Sequence, residues 1–260
     1  GGFSTYDASI LHFSKSGYEN WKTIEYAITF FMFLGGISFL LHYKIISANP
    51  GEVRRNTEFH FFVAFILGTT ALMMIDHYLH FSDFSLETLE STFRNTIFSV
   101  VSIITTTGYG TIDINDPFFP AMSKQIFIIL MLIGGCVGST GGGIKVQRIV
   151  ILIKAFGVQL KRIGMPGKAL SKVVVDSRII SDTELKRVTG LFFGWLIMLA
   201  GGGIITALFT DLGSWEALSG MFSAVGNIGP CYISVEQMSE LPAVVKLTYI
   251  LGMLAGRLEI

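Results

Sequence analysis

The sequence predicts an all-α, polytopic membrane protein built from repeated units, and three observations support this prediction. First, 51% of the 260 residues are hydrophobic and only 15% are charged, whereas soluble domains carry about 25% charged residues. Second, charged residues divide the chain into uncharged runs about as long as a membrane crossing. Third, the order of these runs repeats. The 19 basic and 19 acidic residues balance, so nothing indicates nucleic-acid binding, and two cysteines cannot form a disulfide framework.

Five apolar segments are candidate membrane spans, because a helix needs about 20 apolar residues to cross the hydrocarbon. They cover residues 26–43, 59–75, 125–144, 188–210 and about 241–260. Four are uncharged, and the fifth contains Lys246 and Arg257. Buried helices of a soluble protein are the alternative, but they would need a larger polar shell than 15% charged residues provide.

Two further uncharged runs, residues 95–112 and 217–235, are interrupted by glycine-rich loops, and the part before each loop is too short to cross the membrane. The first loop reads T-T-T-G-Y-G at 105–110, and the second reads G-N-I-G-P at 226–230. About ten apolar residues precede each loop, half of a crossing. We therefore predict two re-entrant segments that enter and leave by one face, the first with a short helix over Phe93–Ile104.

The distribution of charge predicts the orientation in the membrane. Most basic residues lie in the connections after the first and third spans, whereas the connections that hold the broken segments are acidic. An excess of Lys and Arg marks the cytoplasmic side. The re-entrant segments are therefore expected to enter from the outside.

An internal repeat follows from the same layout. The order span, short helix, glycine loop, span occurs from Glu58 to Phe156 and again from Arg187 to Ile260. Residues 1–7 align with residues 107–113, so the N-terminus looks like the tail of another copy. Because the chain starts without Met inside this motif, we expect it to be a fragment of a longer protein.

The glycine loops suit a cation that has lost its water. Removing a cation from water is costly unless other oxygens replace the hydration shell. Backbone carbonyls can do so without charge, and glycine allows the unusual backbone angles that turn them inward. T-T-T-G-Y-G closely resembles the carbonyl filter of potassium channels, and the preceding helix would aim its negative end at the ion. A simple turn between two helices is the alternative.

A second glycine cluster interrupts the third span at residues 134–143, where six of ten residues are glycine. In a helix interior these would cost on the order of 6 kcal/mol relative to alanine. Non-helical backbone at membrane depth is stable only when it is buried in protein or lines water. We predict an intramembrane loop beneath the filter that acts as a gate; close helix packing through small residues is the alternative.

Arg257 is a charge near the end of an apolar helix. Intramembrane charges usually face a cavity or a partner. We predict that Arg257 faces the pore and either bonds carbonyls of the 134–143 loop or opposes a permeating cation. Snorkelling of the side chain to the cytoplasmic interface is the alternative.

Five motifs carry a resemblance to a known family. They are G-G-F-S-T-x-D at 1–7, T-T-T-G-Y-G at 105–110, I-G-G-C-V-G-S-T-G-G-G-I-K-V at 133–146, N-I-G-P at 227–230 and G-R-L-E at 256–259. With them the chain resembles the Trk/Ktr superfamily of potassium-uptake proteins, specifically a Trk-type membrane subunit. The 133–146 stretch is the most specific of the five.

The resemblance implies four span–pore–span repeats around a pseudo-fourfold pore in the plasma membrane, with potassium as cargo and no organic cofactor. Gly2, Gly108 and Gly229 would be the filter glycines of repeats two, three and four. The expected ion-filter residues are Gly2, Thr106, Thr107, Gly108, Tyr109, Asn227, Ile228 and Gly229, with potassium at Gly2, Thr107, Gly108, Ile228 and Gly229. The expected gate residues are Gly134, Gly135, Gly138, Ser139, Thr140, Gly141, Gly142, Gly143 and Arg257.

The resemblance also implies units and partners. Residues 1–50 would be the filter remnant and second span of repeat two, 51–165 repeat three, and 166–260 a cytosolic connection with repeat four. Such subunits form homodimers and bind a cytosolic nucleotide-binding regulatory subunit, for which the basic 145–187 connection is a natural contact surface. No nucleic-acid partner is expected.

Departures from the family pattern limit what is carried over. The first repeat and most of the second are absent, so this fragment alone is not expected to conduct. Cys231 follows Gly-Pro where the family usually has glycine, and Tyr109-Gly110 is more channel-like than the usual Phe-Thr. A membrane-embedded sensor or binding subunit with a vestigial pore is the alternative function. A membrane enzyme is disfavoured, because the apolar segments contain no catalytic constellation.

Overall fold

The computed structural model describes residues 4–6, 8–47, 51–81, 85–163 and 172–258, without the side chains of Glu52, Arg54 and Leu258. Nearly all regular structure in these ranges is helical, together with one small β-hairpin. The helices are α1 (Leu11–Lys15), α2 (Trp21–Gly36), α3 (Phe39–Ile46), α4 (Gly51–Arg55), α5 (Thr57–Phe81), α6 (Leu86–Ile104), α7 (Ala121–Leu132), α8 (Val146–Ile163), α9 (Asp182–Phe209), α10 (Ser214–Gly226), α11 (Val235–Glu240) and α12 (Ala243–Leu258). The hairpin consists of β1 (Val174–Val175) and β2 (Arg178–Ile179), paired antiparallel.

Helices long and apolar enough to cross a membrane confirm the predicted class. In the described ranges, two single helices are long and apolar enough: α5 with 25 residues and α9 with 28 residues. Helices α2 and α3 reach this length only when the bent pair is counted as one span. The apolar α7 is only 12 residues long, and α12 has 16. The predicted third span is helical in α7 and non-helical from residue 133 to residue 145, and then continues as α8.

The first predicted span, residues 26–43, is not one continuous helix, so this expectation was wrong. The chain bends by 99° between α2 and α3, where Ile37 is extended with φ −87° and ψ 150°. The carbonyls of Gly35 and Gly36 accept hydrogen bonds from the 134–143 segment. Because these groups have partners outside the helix, the helix can end in the apolar interior without unsatisfied backbone.

The first short helix is longer than predicted: α6 begins at Leu86 rather than at Phe93. Ser85 caps it by accepting the amide of Thr88, as serine commonly does at a helix start. The added turns are not apolar: they carry Glu87 and Glu90, and Glu90 pairs with Lys22 of α2 at 3.0 Å. The second short helix, α10, begins at Ser214, close to the predicted Ala217.

The two repeated units pack in the same way. In one unit α6 lies against α5, and in the other α10 lies against α9 and α12. Helix α7 contacts both α6 and α10, so it joins the units. The core of the first unit contains Phe62, Phe98 and Phe127, and that of the second is built around Trp195 and Met221. This arrangement brings the C-terminal ends of α6 and α10 together in the interior.

Candidate functional site

The loop after α6 folds back onto the last turn of its own helix. The amides of Thr107 and Gly108 donate to the carbonyl oxygen of Ser102 at 2.9 and 3.4 Å. Thr106 has φ +53° and Gly108 has φ +81°, whereas Thr107 between them has a negative φ. Left-handed conformations favour glycine, so the backbone of Thr106, which has a side chain, is in a less favourable conformation than that of Gly108.

The loop after α10 has the same construction. The amide of Ile228 donates to the carbonyl oxygen of Ser223 at 3.0 Å, and the amide of Gly229 donates to the Ser223 hydroxyl at 3.0 Å. Asn227 has φ +55° and Gly229 has φ +111°. Ser102 precedes Gly108 by the same number of residues as Ser223 precedes Gly229. Sequence reasoning missed Ser102 and Ser223, although this shared spacing was a detectable signal.

The two loops touch through their backbones. A Cβ atom on Gly108 would lie 2.0 Å from the carbonyl oxygen of Ile228, so only glycine fits this contact. On the opposite side, the carbonyl of Gly110 accepts the amide of Ile10 at 3.1 Å, and the amide of Gly110 donates to the Ser9 hydroxyl at 3.2 Å. The 105–110 loop therefore lies between the N-terminal segment and the 226–230 loop. Gly2 lies outside the described residues.

Several carbonyls of these loops are free to bind a ligand. Tyr109 accepts the Ser102 hydroxyl at 2.6 Å through its carbonyl, so that oxygen is already engaged. Within the described part of the chain, the carbonyl oxygens of Thr107, Gly108 and Ile228 accept no hydrogen bond. The C-terminal ends of α6 and α10, which carry a partial negative charge, both lead into these loops. Uncharged oxygens at the end of a helix dipole are suited to hold a dehydrated monovalent cation.

Two expected filter residues direct their side chains away from these carbonyls. The Thr106 hydroxyl accepts the amide of Gly142 at 2.9 Å. The Asn227 side-chain amide donates to the carbonyl oxygen of Met253 in α12 at 3.0 Å. Thr106 and Asn227 therefore connect the 105–110 and 226–230 loops to their surroundings through their side chains.

The glycine cluster forms a closed loop between α7 and α8. Ile133 and Ile144 pair as an isolated parallel bridge, with the Gly134 amide donating to the Ile144 carbonyl at 2.9 Å. A Cβ atom on Gly134 would lie 1.9 Å from the Gly142 carbonyl oxygen. Gly143 has φ +78° and packs against Gly134. The two ends of the loop come this close only because they lack side chains.

The loop is anchored at the bend between α2 and α3. The Cys136 amide donates to the Gly36 carbonyl at 2.9 Å, and the Thr140 amide donates to the Gly35 carbonyl at 3.4 Å. In return, the Phe39 amide at the start of α3 donates to the Gly138 carbonyl at 3.1 Å. The bend and the loop thus satisfy one another's backbone groups.

The glycine loop also lies against the start of the 105–110 loop and the start of the 226–230 loop. In addition to the Gly142–Thr106 bond, a Cβ atom on Gly141 would lie 3.1 Å from the Thr105 carbonyl oxygen. A Cβ atom on Gly142 would lie 2.7 Å from the Gly226 carbonyl oxygen. Within the loop, the Ser139 amide donates to the Cys136 carbonyl. The Ser139 hydroxyl is buried and has no hydrogen-bond partner among the described residues.

Three charged side chains bond the loop. Arg257 donates to the carbonyl oxygen of Thr140 at 3.1 Å; its gating role stays a prediction. Lys145, which is 1% exposed, donates to the Gly141 carbonyl. Glu58 accepts the amides of Val137 and Gln147. Sequence reasoning used Lys145 and Glu58 as ends of apolar runs, and Lys145 also as the start of the basic 145–187 connection, and missed their contacts with the loop.

Two short pore helices inside a bundle of spanning helices, with their C-terminal loops meeting above a glycine loop, define a multi-pass membrane transport protein. A family model described as TrkH, cation transport protein, matches residues 1–260. The chain therefore belongs to the TrkH family, which consists of transport proteins and not of enzymes.

Named relatives and a solved structure agree with this assignment. The chain is 30% identical to the Trk system potassium uptake protein TrkH of Salmonella typhimurium, over the whole chain and 52% of that protein. It is 27% identical to the Trk system potassium uptake protein TrkG of Escherichia coli, over the whole chain and 51% of that protein. The crystal structure of the potassium transporter TrkH from Vibrio parahaemolyticus matches with a TM-score of 0.87 at 27% identity, covering 100% of this chain and 54% of that one. The chain thus spans about half the length of the curated relatives it matches.

Proposed function

We propose that the protein conducts potassium ions across the plasma membrane through a filter lined by backbone carbonyls. The observation that carries this proposal is the pair of equivalent loops whose Thr107, Gly108 and Ile228 carbonyl oxygens accept no hydrogen bond within the described residues. Potassium loses its water less reluctantly than smaller cations and binds to such rings of carbonyls. The relatives' printed names, which refer to potassium uptake, support the choice of this ion.

The potassium site would use carbonyl oxygens of Thr107, Gly108, Ile228 and Gly229, with Gly2 expected to contribute from the N-terminal segment. The fourth side would come from a repeat that this chain does not contain. Transport by this mechanism needs no organic cofactor, because no covalent step takes place.

The intramembrane loop 134–143 is proposed as the gate of this pathway. It packs against Thr105, Thr106 and Gly226 at the inner ends of both filter loops, so an ion that leaves the filter would meet it next. Arg257 bonds the loop through Thr140 and adds a positive charge beside the path. Both features would oppose the exit of a cation until the loop moves.

Assembly is proposed on the family pattern. Residues 1–50, 51–165 and 166–260 would be parts of a four-repeat subunit that forms a homodimer. A cytosolic nucleotide-binding regulatory subunit would contact the basic 145–187 connection. In this connection α8 carries exposed Lys161 and Arg162, and Arg178 at the hairpin is also exposed, with its guanidinium paired to Glu184 at 3.2 Å.

Rubidium uptake by the full-length protein, expressed in a host that lacks potassium uptake, tests the proposal. Gly108→Asp should abolish uptake, because the site has no room for a side chain and a carboxylate would trap the ion. Gly17→Asp is a matched control: Gly17 also has a positive φ, +73°, but nothing within 4 Å of a Cβ. Normal uptake by Gly108→Asp would refute the filter. No uptake by a correctly inserted parent protein would instead favour the sensor alternative.

A further inference from the structure

The first turn of α5 is held from the solvent side by the β-hairpin. The backbone amide of Thr57 donates to the Asp176 carboxylate at 2.9 Å, and the amide of Phe59 donates to the Asn56 side chain at 2.7 Å. The first amides of a helix have no partner within the helix, and a carboxylate there also interacts favourably with the helix dipole. Asp176 therefore fixes the position of the N-terminus of α5.

The hairpin itself is attached to the body of the protein. Asp176 and Ser177 form its two-residue turn with φ +49° and +64°, as expected for a tight hairpin. Val173 and Val175 are buried, and Lys154 in α8 donates to the Val174 carbonyl at 3.0 Å. The turn thus presents Asp176 to α5 from a hairpin that packs on α8.

The residue that follows Thr57 bonds the intramembrane loop. Glu58 is 8% exposed, and one carboxylate oxygen accepts the amides of Val137 at 2.7 Å and Gln147 at 3.2 Å. Val137 lies in the loop, and Gln147 lies in the first turn of the helix that follows it. One side chain therefore holds both sides of the loop together.

We propose that Glu58 is a positioning residue for the intramembrane loop, and that the first turn of α5 transmits the position of the β-hairpin to this loop. Thr57 and Glu58 are consecutive residues of one rigid helical turn, bonded to the hairpin and to the loop respectively. A partner that displaces the hairpin would thereby change the constraint on the loop. The effect on ion flow rests on the proposed function; the mechanical connection does not.

Hydrogen exchange of the full-length protein, read by mass spectrometry, tests the role of Glu58 without measuring flow. Glu58→Ala should speed exchange in segment 133–147 by at least about tenfold, because two backbone amides lose their buried acceptor. Glu58→Gln keeps an acceptor of the same shape and should restore most of the protection. Asp182→Ala is the matched control: Asp182 is in the first turn of α9, the other long span. Parent-level exchange of 133–147 in Glu58→Ala would overturn the proposal.

The hairpin step has its own test, with variants at Asp176 in the exposed turn of the hairpin. Asparagine tolerates the φ of +49° better than alanine does, so exchange in 172–181 reports any strain in the turn itself. Asp176→Ala should speed exchange in 133–147 by a smaller factor than Glu58→Ala does. Asp176→Asn, which keeps a side-chain acceptor, should restore exchange close to that of the parent. The double variant Glu58→Ala/Asp176→Ala should exchange little faster than Glu58→Ala alone, because the effects of two substitutions on one path are not additive. A change confined to 172–181 would exclude the connection.

Uptake measured on the same variants separates this proposal from the proposed function. A loop released by Glu58→Ala or Asp176→Ala should raise rubidium uptake severalfold above the parent. Faster exchange in a protein that shows no uptake even as the parent would support the connection and refute transport. Unchanged exchange in variants of a protein that transports rubidium would refute the connection and leave the proposed transport function intact.

Discussion

Ser102 and Ser223 occupy equivalent positions beneath the two filter loops, but their hydroxyls bond different backbone atoms. The Ser102 hydroxyl donates to the carbonyl of Tyr109 at 2.6 Å, whereas the Ser223 hydroxyl accepts the amide of Gly229 at 3.0 Å. Their own carbonyls accept the equivalent amides, from Thr107 and Ile228. The two loops therefore start alike and diverge after the glycine, so that their symmetry is only approximate.

Ser223→Ala should weaken the filter without disrupting the fold. The amide of Gly229 would lose its acceptor, which costs about 1 kcal/mol for a neutral bond. We expect reduced preference for rubidium over sodium and a modest fall in thermal stability, measured by competition uptake and by unfolding of the purified protein. Ser99→Ala is the control, because the Ser99 hydroxyl on α6 is buried and has no hydrogen-bond partner in the described part of the chain. Equal selectivity in both variants would contradict the role of Ser223.

Gly108→Ala should nearly abolish uptake, even though it adds a single methyl group. The new Cβ would lie 2.0 Å from the Ile228 carbonyl oxygen, and that oxygen is proposed to bind the ion, so relief of the clash must distort the site. Gly68→Ala in α5 meets nothing within 4 Å and should stabilise the helix by up to about 1 kcal/mol. If Gly108→Ala retained parent uptake and selectivity, the contact between the loops would not matter for conduction.

The membrane class, the repeat and the break in the third span could be predicted because each leaves a local signature. Long uncharged runs report burial in lipid, and six glycines in ten residues cannot form a stable helix. The same reasoning identified Gly108 and Gly229, where the loops need left-handed backbone. These features depend on neighbouring residues alone.

The bend between α2 and α3 could not be predicted, since its cause lies far along the chain. Gly35 and Gly36 look like ordinary small residues in an apolar run, and the helix ends there because their carbonyls bond Cys136 and Thr140. The outer turns of α6 were missed for a similar reason. They carry Glu90, whose carboxylate pairs with Lys22 of α2 at 3.0 Å and with Arg94 one turn further along α6 at 2.9 Å.

Arg94→Met should destabilise the protein strongly. The Arg94 guanidinium is 5% exposed, pairs with Glu25, which is 2% exposed, and lies 4.4 Å from the centre of the Trp21 ring. Removing it leaves a buried carboxylate without its partner, at a cost of about 3–5 kcal/mol, measurable as a lower unfolding temperature. Combining it with Glu25→Gln should recover much of this loss.

Lys22→Met is the matched control for this ion pair. Lys22 pairs with Glu90 at 3.0 Å, but its side chain is 53% exposed, so the loss should be at most about 1 kcal/mol. Equal destabilisation by Arg94→Met and Lys22→Met would show that burial does not set the strength of these pairs.

Arg257→Ala should raise rubidium uptake severalfold. The side chain donates to the Thr140 carbonyl at 3.1 Å, so its loss both frees the intramembrane loop and removes a positive charge from the proposed path of a cation. Arg257→Lys keeps the positive charge but replaces the planar guanidinium with a compact ammonium group, and should give uptake between that of the parent and that of Arg257→Ala. Lys246→Ala is the control, since Lys246 lies on the same helix and bonds the Ser239 carbonyl. Parent-level uptake by Arg257→Ala at normal expression would reject the gating role and favour the snorkelling alternative, in which this arginine only anchors the end of α12.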